Sequence, residues 1–311
     1  MTIEQLKTLF KRYHFKPNFT YGQNFLIDDI VLDDIITAAD LKKEDAVLEI
    51  GPGIGNLTEK LLQKTNFVLS IEKDPKFLPV LKSLHKKYRN FQYEIADILE
   101  YDFKKALQSI PSPGVGRVAE GRERSNHDAD NLSLIPSPHL EREKLSYKVV
   151  ANIPYYITGK ILRMLLTVKM KPVSITLLTQ KEVAQNIIAK AGDLSILAIS
   201  VQIFGEPKIV KIVKPESFYP APKVDSAILH INLYQKPKYK ITNEKIFFQV
   251  VKACFAGKRK QIHNTLVNNL HLDRNQVIGI LSELKINPAA RPQELSIQQW
   301  INLTQLITNN L

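Results

Sequence analysis

The chain contains one cysteine, Cys254, which excludes an intramolecular disulfide and a cysteine-based zinc site. No stretch approaches the roughly 18 consecutive apolar residues that a membrane-spanning helix needs. The opening "MTIEQLKTLFKRYHFK" is amphipathic but lacks the apolar centre of a signal peptide. A soluble, cytoplasmic protein is therefore expected. Acidic residues are in deficit: 31 Asp plus Glu face 43 Lys plus Arg, a formal charge of +12. Such an excess serves solubility, but it also points to a polyanionic partner, nucleic acid above all. The seven histidines form no His-centred catalytic constellation. Aromatic residues are missing altogether from Lys104 to Ser146.

What is present is a chain of 311 residues, 44% hydrophobic, long enough for two domains. Short aliphatic runs alternate with helical patterns. "AVLEI" (46–50), "FVLSIE" (67–72), "FQYEIAD" (91–97), "YKVVANI" (147–153) and "SITLLTQ" (174–180) read as strands. "LTEKLLQK", "PKFLPVLKSLHKKY", "TGKILRMLLTV" and "KEVAQNIIAKA" read as the helices between and after them. This alternation predicts an α/β fold: an open, mainly parallel sheet with helices on both faces, and ligands beyond the carboxyl ends of its strands.

Two segments break the alternation. Within 104–146, "IPSP" occurs at 110–113 and again at 135–138, among Gly, Ser and interspersed charges. Too little apolar surface is available there to offset ordering entropy, so a mobile insertion outside the core is expected. A basic arm touching RNA is the alternative, weakened because its acids nearly cancel its bases. From about Asn243 onward strands stop and helical patterns follow, so 239–311 is expected to be a small helical domain after a 1–238 sheet domain.

The chemistry-bearing residues fall at strand ends. "VLEIGPGIGNLT" (47–58) is a strand, a glycine turn and a helix start. Its glycines, Gly51, Gly53 and Gly55, permit positive φ and close backbone approach to a ligand, and Asn56 stands where a nicotinamide fingerprint has its third glycine. Together with Glu49 this spacing resembles the first motif of S-adenosylmethionine (SAM) methyltransferases. Glu72 can accept hydrogen bonds from two ribose hydroxyls, and Asp97 from an adenine amino group. "YGQNFLID" (21–28) is placed to cover the methionine end.

In "VVANIPYYIT" (149–158), Asn152 ends a strand and points into the same crevice. An exocyclic adenine amine is a poor nucleophile, but it has two N–H donors. If the Asn152 side-chain oxygen and the Ile153 carbonyl accept both, the nitrogen is oriented for in-line attack on an activated methyl. Pro154 stiffens the turn and adds no donor. Tyr155 offers a flat face for an unpaired base. Phe218 or Tyr219, in the proline-rich "PESFYPAPKVDSAIL", is a candidate for its other face, with core packing the alternative for either.

In this order, "YGQNFLID", "EIGPGIGNLT", "IEKD", "NIPYYIT", "ESFYPAPKVDSAIL", "VVKACFAGKRKQIHNTL" and "INPAARPQELSIQQWINL" resemble the ribosomal RNA adenine dimethyltransferases. The likeness spans nearly the whole chain apart from 104–146. It implies a Rossmann-like SAM-dependent methyltransferase sheet with an all-helical C-terminal domain. It also implies transfer of two methyls to N6 of each of two adjacent adenosines near the 3′ end of small-subunit rRNA. The family's cofactor contacts fall on Asn24, Leu26, Gly51, Glu72, Asp97 and Asn152, with Gly53 in the same turn. Its base contacts fall on Asn152, Tyr155 and Phe218. Tyr156 departs from the family's usual asparagine. RNA contacts are expected from Lys252, Lys258, Arg259 and Lys260 and from "LFKRYHFK", with a 30S assembly intermediate as partner and a monomeric enzyme. The alternatives are an Erm-like large-subunit methyltransferase and an rRNA-binding assembly factor in which catalysis is secondary.

Overall fold

The computed structural model describes residues 1–13, 15, 22–102 and 146–309. The insertion expected at 104–146 lies, apart from Ser146, outside the described residues, as do Tyr21, His14 and Lys16. Five parallel strands form the left and centre of a seven-stranded sheet: β2 (Ala46–Ile50), β3 (Phe67–Glu72), β4 (Phe91–Ile95), β5 (Tyr147–Asn152) and β6 (Ser174–Gln180). Two antiparallel neighbours, β7 (Gly205–Val213) and β9 (Ser226–Leu233), complete it in the order β4-β3-β2-β5-β6-β9-β7. The central strands are buried along their whole length, as "AVLEI" and "FVLSIE" require when helices cover both faces.

Alternate side chains divide between two apolar layers. Leu48, Ile50, Leu69 and Ile71 join one, with α5 (Thr158–Thr167) packed on it through Ile161, Leu162 and Leu165. Val47, Val68 and Val150 join the other, with α2 (Asp29–Ala38), α3 (Asn56–Lys64) and α4 (Leu78–Lys87). The strand order reverses between β2 and β5, so a crevice opens where Gly51 and Asn152 leave adjacent strands. An N-terminal helix, α1 (Ile3–Tyr13), buries Leu6 and Phe10 in the second layer, beneath the crevice wall.

Two strands of two residues each were not legible in the sequence. β1 (Phe25–Leu26) pairs antiparallel with β8 (Phe218–Tyr219). This ribbon straps "GQNFLID" to the proline-rich segment, which runs on into β9 from Ser226.

The helical patterns after Asn243 appear where expected: α8 (Glu244–Phe255), α9 (Ile262–Leu270), α10 (Arg274–Glu283) and α11 (Ile297–Asn309). Their core, built around fully buried Trp300, also takes in Leu194, Ala198, Ile199 and Ile203, around α7 (Ile196–Gln202), the helix that follows α6 (Lys181–Ile187). The helical unit is thus founded on a helix of the sheet region and shares an apolar cluster with it. Cys254 is buried in that cluster, and burial pushes its thiol up to about 12, consistent with an inert packing residue.

Candidate active site

One cleft at the carboxyl ends of β2, β3 and β5 gathers most of the expected residues. Asn24, Leu26, Gly51, Gly53, Glu72, Asp97, Asn152, Ile153, Pro154 and Tyr155 all line it. Its apolar walls come from Phe25, Ile50, Ile71, Phe77 and Ile98. A concave, mostly apolar site with a few convergent polar groups suits a nucleoside.

The glycine turn is the floor. Gly51, Gly53 and Gly55 have φ of 71°, 53° and 82°, the left-handed region in which a side chain is strained. At Gly55 a Cβ would sit 2.7 Å from Leu84 Cδ1, the far end of a flexible side chain, so the left-handed φ is the stronger ground for glycine there. Asn56, in place of a third glycine, donates from Nδ2 to the Leu26 carbonyl at 3.0 Å and ties the turn to the covering segment. Gln23 Nε2 fastens that segment again, through Asp74 Oδ2 at 3.0 Å.

Glu72 is buried and divides its oxygens. Oε2 accepts from the Gly53 N–H at 3.0 Å and Oε1 from the Asp74 N–H at 2.8 Å. Burial raises its carboxyl pKa, and those backbone donors partly offset the rise. A third backbone donor, the Lys73 N–H, also acts on this carboxylate. Asp97 lies two residues beyond β4. Burial acts to raise its pKa, but hydrogen bonds from Lys73 and the Leu99 N–H, with the charges of Lys73 and Lys160, hold it below the ordinary carboxylate range. The Lys73 ammonium is 2.7 Å from Asp97 Oδ2. Lys73 is a cleft residue that strand-end reasoning passed over, although it directly follows Glu72 in "IEKD".

Asn152 is half-buried at the end of β5. Its Nδ2 donates to the Asn24 carbonyl at 3.4 Å. A carbonyl only accepts, so this contact fixes which end of the amide faces Asn24 and leaves Oδ1 as the acceptor for a ligand. The Ile153 side chain is anchored in the sheet's apolar layer, which holds the following peptide at the cleft wall. Tyr155 is half-buried with its hydroxyl 2.6 Å from Ser226 Oγ, and burial, opposed by that hydrogen bond, raises its pKa. Ser226 had no local signal in the sequence; it reaches Tyr155 only because β9 lies beside β6.

Phe218 is the exception. Its side chain is 3% exposed, packed in the apolar layer under the cleft, and absent from the lining. Pairing of β8 with β1 turns Phe218 inward, so the expected role at the base face is not supported. Tyr219, the other candidate, packs against the Phe10 ring at 6.3 Å. Lys252, at the end of α8, and Lys258, Arg259 and Lys260, in the turn before α9, are all exposed. They lie on the helical unit and outside the cleft lining.

Glu49 does not line the cleft; it is buried beneath α3. The hydroxyls of Thr58 (2.8 Å) and Ser70 (2.6 Å) both donate to Oε2, while Oε1 has no partner among the described residues. Burial, reinforced by the nearby Glu72 charge and only partly countered by the two hydroxyls, pushes its carboxyl from 4.5 up to about 7. The folded state therefore binds this proton more tightly than the unfolded chain. Its contribution to stability is complete below pH 4.5 and is lost as pH rises through 7, roughly 3 kcal/mol over the window. Glu49→Gln keeps an acceptor for both hydroxyls without the titration. Its melting temperature should fall less between pH 5 and 8 than that of the wild type; equal slopes would place the titration elsewhere.

The turn, the two acids at successive strand ends and the Asn-Pro-Tyr segment over one crevice define a SAM-dependent methyltransferase. The cradle fits that cofactor: left-handed glycines allow close approach, and buried acceptors face an apolar slot.

The chain belongs to the ribosomal RNA adenine dimethylase family, which it matches over residues 14–309. It is 36% identical to the ribosomal RNA small subunit methyltransferase A of Dehalococcoides mccartyi (strain CBDB1), over 97% of this chain and 92% of that protein. It is 35% identical to the protein of the same name from Clostridium botulinum (strain Langeland), over 97% and 98%. Among solved structures, the 23S rRNA methyltransferase ErmE superposes with a TM-score of 0.64 at 25% identity, covering 92% of this chain and all of that one. A dimethyladenosine transferase from Plasmodium falciparum superposes with a TM-score of 0.69 at 24% identity, over 92% and 98%, and shares the fold. The chain is an rRNA adenine dimethyltransferase with SAM as methyl donor.

Proposed function

We propose that the substrate is small-subunit rRNA, within a 30S assembly intermediate, and that the enzyme dimethylates N6 of two adjacent adenosines in the hairpin loop near its 3′ end. The relatives named above as small subunit methyltransferases support this choice of subunit. The observation that carries the mechanism is Asn152: Nδ2 is held by the Asn24 carbonyl, so Oδ1 is presented to the cleft.

When bound, SAM supplies an electrophilic methyl on its sulfonium. Glu72 accepts the ribose hydroxyls and Asp97 the adenine amine of the cofactor. Asn152 Oδ1 and the Ile153 carbonyl accept the two N–H groups of the target amine, which withdraws its lone pair from the ring and aims it. Tyr155 stacks on the extruded base, held by Ser226. These groups orient and polarise, and the transfer needs no general base, because the methylated ammonium gives its proton to water. A cytoplasmic monomer with a part in ribosome biogenesis is the setting that fits; no helix among the described residues is long and apolar enough to cross a membrane.

The test is incubation of undermethylated 30S and 50S particles with enzyme and labelled SAM, followed by mass mapping. Four methyls on two neighbouring small-subunit adenosines are expected. Label confined to the large subunit would overturn the proposal in favour of the Erm-like alternative.

Lys252, Lys258, Arg259 and Lys260 are proposed to hold RNA phosphates. Replacing Lys258, Arg259 and Lys260 with Gln should weaken rRNA binding and reduce the slope of log affinity against log salt by about 2, leaving SAM affinity unchanged. Filter binding across a salt series measures this, and an unaltered slope would remove these residues from the interface.

A further inference from the structure

The cleft holds two adjacent tyrosines with different surroundings. Tyr155–Ile157 is a single 3₁₀ turn, so consecutive side chains project about 120° apart. Tyr155 turns toward β9, where Ser226 fixes its hydroxyl. Tyr156 turns to the covering segment instead: a Cβ built on Gly22 would lie 3.5 Å from Tyr156 Cε1 and 3.7 Å from Cδ1. Gly22 has φ +60° and no side chain to lay against that ring. Tyr156 is 63% exposed, the single aromatic among the large exposed apolar residues described. Its hydroxyl makes no hydrogen bond to any described residue. Neither core packing nor a buried network accounts for a bulky ring at this place, yet it lines the same cleft as Asn152.

We propose that Tyr156 is a second stacking platform, which takes the unpaired nucleotide flanking the target adenosine. The proposal rests on the RNA-adenine reading of the site. An aromatic face accepts any base without hydrogen-bond readout, and a purine best because its ring is larger. One nucleotide is held for reaction between Tyr155 and the Asn152 oxygen. Its neighbour, splayed on Tyr156, is kept out of a stacked conformation that would draw the target back. With two adjacent adenosines as substrates, each serves in turn as target and as neighbour.

The experiment compares wild type, Tyr156→Ala, Tyr156→Phe and Tyr156→Trp on undermethylated 30S particles, with SAM affinity and melting temperature measured in parallel. The Ala variant should raise KM for the particle about tenfold or more, while its SAM affinity and melting temperature stay at wild-type values. Phe and Trp should keep near wild-type KM. Mass mapping should show the Ala variant accumulating particles with only one of the two adenosines modified. A wild-type KM in the Ala variant would overturn the inference. So would a Phe variant as impaired as Ala, which would indicate a hydroxyl contact, or a loss of SAM affinity equal to the loss for RNA, which would indicate a structural role. If the wild-type enzyme leaves small-subunit adenosines unmodified, the substrate reading fails; if it modifies them and Ala matches it, only the stacking inference fails.

Discussion

Asn152→Ala should lose methyl transfer by a factor of 10² to 10³ or more, roughly the effect of removing one preorganised polar contact at a reacting centre. The reason is specific to this amide. Its nitrogen end is committed to the Asn24 carbonyl, so the oxygen end is both free and oriented. Truncation removes an acceptor that is worth most as the amine loses conjugation with its ring, so the loss should fall on kcat. Affinity for SAM should fall by no more than the one contact Asn152 itself supplies, because Glu72, Asp97 and the glycine turn are untouched, and RNA binding by the helical unit should persist. Single-turnover transfer of labelled methyl to 30S particles, beside equilibrium binding of each ligand, separates these effects. Activity within tenfold of wild type would remove Asn152 from the reacting centre.

Glu72→Ala should act at the other end of the cleft, raising the dissociation constant for SAM by about 100-fold or more. The variant loses the acceptor proposed for the two ribose hydroxyls, and it also leaves the Gly53 and Asp74 N–H groups without their acceptor. Each buried donor left unsatisfied costs about 1–3 kcal/mol, so the turn loosens even before the cofactor arrives. Glu72→Gln should be nearly as damaging. Two backbone donors point at two separate oxygens, and the Gln amide must turn its own N–H₂ toward one of them. Calorimetric titration with SAM, together with the melting temperature, tests both variants. A Gln variant binding like wild type would mean that the two backbone contacts contribute little to the shape of the turn.

Much of the fold was readable because its central strands are buried on both faces. Continuous aliphatic runs such as "FVLSIE" and "SITLLTQ" mark such strands, and the helices between them carry a 3.6-residue pattern. The carboxyl ends followed from the alternation, and with them Gly51, Glu72, Asp97 and Asn152. Pairing of Phe25 with Tyr219 was not readable, since two-residue strands have no period to detect. The same ribbon decides that Phe218 faces inward. An aromatic between prolines carries no periodicity to say which side it takes, and the sequence left its direction open. The last strand ends at Leu233 and the next helix begins at Glu244, on either side of the expected 238/239 division. That α7 supplies part of the helical core was not readable, because shared burial is a contact between distant segments.

By itself the sequence determined the five parallel strands and the helices between them, the glycine turn, the acids at strand ends and the Asn-Pro-Tyr segment, because each is local: spacing along the chain dictates it. The antiparallel strands β7 and β9 were not read from it. Only the tertiary structure decided that Lys73 pairs with Asp97, that Ser226 steadies Tyr155, that Asn24 sets the orientation of the Asn152 amide, and that Tyr156 stands open beside Gly22. Those are relations between side chains brought together by strand order and by a short ribbon between distant segments. Distance along a chain carries no information about which polar atoms will meet once the sheet has formed.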